Sequence, residues 1–176
     1  MSILYRIPEK VKKRLHLKTL PAEPTLSDPF LDWSVRIMTV RDVHEYTFEY
    51  ILLVNGETNY ATVLKNPGFS SVEELGKLAG QGLRAQFLHF GLRDVYNERI
   101  APHVQDFRIA KACDSRVTAF VTALAHDAIY MLELGESVED TCFKLNNSFR
   151  KSLFENEVRF CTHDDNIVLL FKSLNS

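Results

Sequence analysis

Cysteine is scarce in this 176-residue chain, which holds only Cys113, Cys142 and Cys161. So small and odd a number cannot make a disulfide framework, and the expectation is a reducing, cytoplasmic setting. No run of about 18 apolar residues exists to span a bilayer, so no membrane role is expected. The first residues break their apolar run with Arg6, Glu9 and Lys10, leaving no signal-peptide core. Missing too are the Gly-x-Ser-x-Gly, paired Cys-x-x-Cys, Walker and His-Glu-x-x-His patterns, which removes several ready-made enzyme signatures. Without internal repeats or low-complexity tracts, residues 1–176 read as one domain.

What is present is an ordinary globular composition, 45% hydrophobic and 25% charged, with a formal net charge of −2. A chain of this length buries about 70% of the surface it exposes when unfolded, so it needs no disulfide or structural metal to hold a core. The charge is unevenly placed. Residues 1–20 carry Arg6, Lys10, Lys12, Lys13, Arg14 and Lys18 against Glu9 alone, while the other 156 residues hold 15 basic and 22 acidic groups. Clustered cations displace counterions from a polyanion, so Lys10, Lys12, Lys13 and Arg14 are candidate nucleic-acid contacts. The competing reading is a helical face lying against the protein's own acidic surface.

Hydrophobic periodicity lays out an α+β chain. Ile3, Tyr5 and Ile7 alternate in a first strand that Pro8 ends, and a short helix follows over residues 9–15. Pro21, Pro24 and Pro29 make residues 19–32 a connecting loop. Trp33 to Val40 and Tyr46 to Val54 read as antiparallel strands, and Asn55-Gly56 offers positive φ angles for a tight turn into a strand over Thr58 to Leu64. Ser70 or Ser71, each with a Glu three residues on, opens a helix through residues 71–90 whose stripe is Val72, Leu75, Ala79, Leu83, Phe87 and Phe90. Gly76, Gly80 and Gly82 inside it either permit close packing or soften it.

Residues 105–110 read as a short strand. Asp114 or Ser115 then caps a long helix that Gly135 ends, with Val117, Phe120, Val121, Leu124, Ala128, Met131 and Leu132 on its buried face. Ser137 and Asp140 open a further helix in which Val138, Cys142, Leu145, Phe149 and Leu153 recur. Val158 to Thr162 and Ile167 to Phe171 are expected to form a terminal hairpin across His163–Asn166. The resulting architecture is a mostly antiparallel sheet with helices packed mainly on one face.

Two His-Asp stretches invite metal chemistry: His126-Asp127 in the long helix, and His163-Asp164-Asp165 in the expected turn. Imidazole with carboxylate suits zinc, manganese or iron, which activate water for hydrolysis. A metal-dependent hydrolase or nuclease is therefore the alternative functional reading, and it requires the two stretches to meet. Neither His126 nor Asp127 has a ligating neighbour at i±4, and Asp and Asn at 164–166 also serve ordinary turn chemistry. Leu124-Ala125-His126-Asp127-Ala128 resembles the core of a His-Asp phosphohydrolase motif; that family is all-helical, whereas the first third of this chain reads as strands. Cys161 and His163 share a strand face without a visible third group. No metal ligand set is assigned, and no cofactor is named.

A broader resemblance rests on Trp33, the run Tyr50 to Asn55, Thr58-Asn59-Tyr60, the helix at 71–90 and Leu145-Asn146-Asn147. These residues, over about positions 1–155, resemble a bacterial family of short proteins known only as a domain of unknown function. The resemblance implies one small α/β domain and carries over no activity, cofactor or site residue. Where that family has basic residues before its central strand, this chain has Asp42, His44 and Glu45. The functional expectation is thus a non-enzymatic cytoplasmic interaction or accessory module, partnered by protein or by a second copy, with nucleic-acid binding as a third reading.

Overall fold

The computed structural model describes residues 1–112, 115–147, 150–154 and 157–175. Its main sheet contains β1 (Ile3–Ile7), β2 (Asp32–Arg41), β3 (Thr47–Asn55), β4 (Ala61–Lys65) and β5 (Phe107–Lys111), in the order β4-β3-β2-β1-β5. The α+β class stands, but the sheet is mixed. β2, β3 and β4 form the expected antiparallel meander, whereas β1 runs parallel to both β2 and β5. The cause is connection length. Residues 8 to 31, holding α1 (Glu9–Arg14) and the Pro-rich loop, are long enough to return the chain to the same end of the sheet, which a parallel pair requires.

Helices cover both faces, not mainly one. Ile3, Tyr5, Ile7, Trp33, Val35, Ile37, Ile51 and Leu53 pack with Leu75, Ala79, Leu83 and Phe87 of α2 (Val72–His89). Short α3 (Arg93–Val95) and a π-helical turn, Tyr96–Ile100, extend that layer. On the opposite face Met38, Val40, Leu52, Val54, Ala61 and Val63 meet α4 (Ser115–Glu133) and α5 (Val138–Asn147). Successive strand residues point to opposite faces, so burying both explains why all five residues of β1 are buried.

Local signals held in several places. The Ser71–Glu74 capping box opens α2, and Gly135, at φ 85°, closes α4. A Cβ on Gly76 would lie 2.2 Å from the Phe107 ring, and one on Gly80 would lie 2.7 Å from Val104. These glycines therefore serve close approach. Asn55-Gly56 does not make the two-residue turn. The link to β4 runs through residue 60, the positive φ falls on Asn59, and β4 begins at Ala61.

The C-terminal region departs most. α5 ends at Asn147; Phe149 lies outside the described residues, and Leu153 stands not in the helix but in β6 (Arg150–Phe154), which pairs antiparallel with β7 (Glu157–Cys161) as a separate ribbon. Ile167 to Phe171, expected as a strand, belongs instead to α6 (His163–Leu174). Thr162 and Asp165 form a reciprocal capping box that starts this helix where a turn was expected. Asp114, the other candidate cap of α4, lies outside the described residues.

Candidate functional site

The sequence alternation places Leu4 and Arg6 of β1, and Asp32, Ser34 and Arg36 of β2, on the α4 face of the sheet. At this end of an otherwise apolar face, polarity is concentrated. Arg6 Nε donates to Asp32 Oδ1 and Arg6 Nη2 to Asp32 Oδ2, both at 2.7 Å. The same guanidinium donates to the carbonyls of Glu23 and Pro24 at 3.0 and 2.9 Å. Arg6 is 6% and Asp32 4% exposed, so this is a buried, forked ion pair that also ties the Pro-rich loop to the sheet.

Beside the pair lies a cleft of about 210 Å³. Thr25, Leu26 and Pro29 line one side, Val117 and Thr118 of α4 another, and Ser34 and Glu57 the remainder. Its volume corresponds to roughly seven water molecules at about 30 Å³ each. The Ser34 hydroxyl, on a residue 8% exposed, has no partner among the described residues. Arg6 spends its donors on the carboxylate and the two carbonyls, whereas Asp32 and Glu57 keep acceptor capacity. The free hydrogen-bonding potential of the cleft is therefore rich in acceptors.

A wall of this cleft depends on Asn55. Its Nδ2 donates to Pro29 O at 2.8 Å and to Asp32 O at 3.3 Å. Its Oδ1 accepts from Glu57 N, Thr58 N and Thr58 Oγ1 at 3.2, 2.9 and 3.0 Å. Trp33 Nε1 donates to Phe30 O at 2.7 Å, and Asn146 binds both peptide groups of Ala61. Trp33, Asn55, Thr58 and Asn146, which carry the family resemblance, thus hold the scaffold together through backbone contacts.

The His and Asp candidates are dispersed. His126 and Asp127 are exposed on α4. His163, the first residue of α6, is 2% exposed and meets Phe120 of α4 edge-on, with ring centroids 5.7 Å apart. Phe120 and His126 are six positions apart on one helix, about 240° around it and about 9 Å along it, so His126 faces elsewhere. Asp165 caps α6. The side chains of Asp164 and Cys161, and all of Cys113, lie outside the described residues. Among the described residues, no three His, Cys, Asp or Glu side chains gather as a metal site would need. Cys142 is buried, its Sγ accepting from Val63 N at 3.1 Å.

The basic N-terminal segment is turned in part onto the protein itself. Arg6 belongs to the buried pair, and Lys12 reaches Glu9 at 3.2 Å. Arg14 forks onto Glu49 at 2.6 and 2.7 Å and stacks over Phe69. Lys10 adds a favourable field at Glu49, and Lys13 lies on the same short helix. The Arg14 hydrogen bonds hold the Glu49 carboxyl below the usual carboxylate range. A depressed carboxyl contributes stability above its unfolded value, about 4.3, and loses it as pH falls through the folded value. Glu49→Gln is expected to cost up to about 1 kcal/mol at pH 7. In urea titrations that difference should shrink toward zero as the medium is acidified below the carboxylate range.

Arg6, Asp32 and Ser34 went unrecognised as a site in the sequence. The available signal was a charged residue, Arg6, between Tyr5 and Ile7 on a strand buried on both faces. Its partner stands 26 positions away. Residues 4–159 match the family model described as a domain of unknown function (DUF6933). No curated protein matches the chain. The matched span contains the whole cleft lining and stops before His163, Asp164 and Asp165. No helix among the described residues is long and apolar enough to cross a membrane.

Proposed function

We propose, from the premise that this chain belongs to the DUF6933 family, that it is a non-enzymatic interaction module whose working element is the Arg6–Asp32 cleft. The ligand it fits is a small polar molecule bearing hydrogen-bond donors, such as hydroxyls or an amine. One observation carries this reading. The Ser34 hydroxyl, on a residue 8% exposed, has no partner among the described residues and opens onto a cleft that the Asp32 and Glu57 carboxylates also line. A ligand group there replaces water on that hydroxyl, and a typical hydrogen bond contributes a net of about 0.5–1.5 kcal/mol. The ion pair supplies rigidity: with each charge held by the other, the pair presents fixed oxygens for recognition. The dispersed His and Asp residues lend the hydrolase alternative no shared cleft, and the ion pairs of α1 favour self-pairing over a free polyanion surface.

Thermal denaturation against a panel of polyols, free amino acids and small amines tests this. A cleft ligand at 100 times its Kd should add about 2.7 kcal/mol of stability. Ser34→Leu, which fills the cleft, should abolish the shift while the variant stays folded by circular dichroism. The reading fails if no member of the panel stabilises the wild-type chain, or if the Ser34→Leu variant responds equally.

A further inference from the structure

On the other face of the sheet, a larger groove of about 580 Å³ runs between α2 and the segment from Tyr96 to Phe107. Its volume lies within the range of small-molecule sites. Lys77 and Arg84 stand two turns apart along α2 and line one wall, with Glu73 as the single carboxylate there. Lys77 and Arg84 form no ion pair among the described residues. Tyr96 lines the opposite wall, in the π-helical turn, a type of distortion that is frequent at functional sites. Only 6% of Tyr96 is exposed, and its hydroxyl has no partner among the described residues. Burial raises its pKa and Arg84 works against that rise, so the phenol remains a protonated donor within the electrostatic reach of the guanidinium. Phe107, half-buried, lines the same groove and adds an aromatic surface.

From this juxtaposition we propose that the groove binds an organic anion carrying a planar ring, of nucleoside monophosphate size. The anionic group would be held by Lys77, Arg84 and the Tyr96 hydroxyl, and the ring would lie against Phe107. Two uncommitted cations against one carboxylate set the sign of the ligand. The aromatic and apolar side of the groove sets its shape, since a bare inorganic anion leaves that side unfilled. This site shares no lining residue with the Arg6–Asp32 cleft, so it stands whether or not that cleft has a ligand.

Isothermal titration of the full chain with AMP, GMP, CMP and UMP, beside adenosine and inorganic phosphate, tests the proposal. At least one monophosphate is expected to bind below 1 mM, with adenosine and phosphate each at least tenfold weaker. Tyr96→Phe, which removes only an unpartnered hydroxyl, should weaken binding about tenfold and leave the melting temperature near that of the wild type. Lys77→Gln with Arg84→Gln should abolish binding, and Ser34→Leu should not affect it. The proposal is overturned if no monophosphate binds at 1 mM, if phosphate alone binds as well, or if the Tyr96 and Lys77/Arg84 variants bind unchanged.

Discussion

Replacing Asp32 by alanine is expected to destabilise the chain by about 3–5 kcal/mol, because it removes the carboxylate that grips two nitrogens of the buried Arg6 guanidinium. The two residues are 6% and 4% exposed, so water compensates the lost carboxylate poorly. In a domain of this size each kcal/mol is worth roughly 2–4 °C in Tm, and the loss should be plain in both urea and thermal unfolding. The double variant Arg6→Met, Asp32→Leu should recover most of it, since removing both charges also removes the desolvation cost of each. That recovery separates a structural pair from a merely helpful contact. A cost for Asp32→Ala within about 1 kcal/mol, the range of solvent-exposed pairs, would mean that water solvates the guanidinium, and would undo the fixed ion pair on which the ligand reading rests.

Asn146→Leu is expected to cost about 2–5 kcal/mol. β4 is an edge strand, and its outward peptide groups are met by side chains of α5 in place of another strand. Asn146 Oδ1 accepts from Ala61 N at 2.7 Å and Nδ2 donates to Ala61 O at 2.8 Å, while Cys142 serves Val63. The match is metrical: positions four apart on a helix lie about 6 Å apart along its axis, and positions two apart on a strand lie about 6.7 Å apart. Leucine leaves a buried N–H and a buried C=O unsatisfied, each worth about 1–3 kcal/mol. Amide exchange at Ala61 and Val63 should quicken with the loss of stability. Glu139→Ala is the comparison, since that side chain is exposed in the first turn of the same helix, and its cost should be about 1 kcal/mol or less. Equal costs at 139 and 146 would refute the edge-sealing role.

How far such features can be read in advance depends on the range of the interactions that make them. The β3–β4 hairpin, the Ser71 start of α2 and the Gly135 end of α4 were legible because alternation, caps and glycine stops act within a few residues. The start of α6 was equally local. Thr162 and Asp165 have capping-box spacing, but the cluster His163–Asn166 matches turn chemistry equally well, so near neighbours alone do not separate a helix start from a turn there. Asn55-Gly56 misled for a related reason. The Asn55 side chain is used across space, on Pro29 and Asp32, and not for its own backbone conformation.

Among the functional candidates, Arg14 was visible as a charge but not as half of a pair, since Glu49 stands 35 positions away. Sequence alone therefore determined the α+β class and most element positions, and marked Trp33, Asn55, Thr58 and Asn146 as residues of a family resemblance without showing what they hold. Only the tertiary structure decided the parallel setting of β1, the covering of both sheet faces and the joining of Arg6 to Asp32 beside Ser34. Secondary structure follows from steric and hydrogen-bonding preferences among near neighbours. A cleft exists only where distant segments are brought together, and whether a charge there is exposed or buried is set by what packs over it.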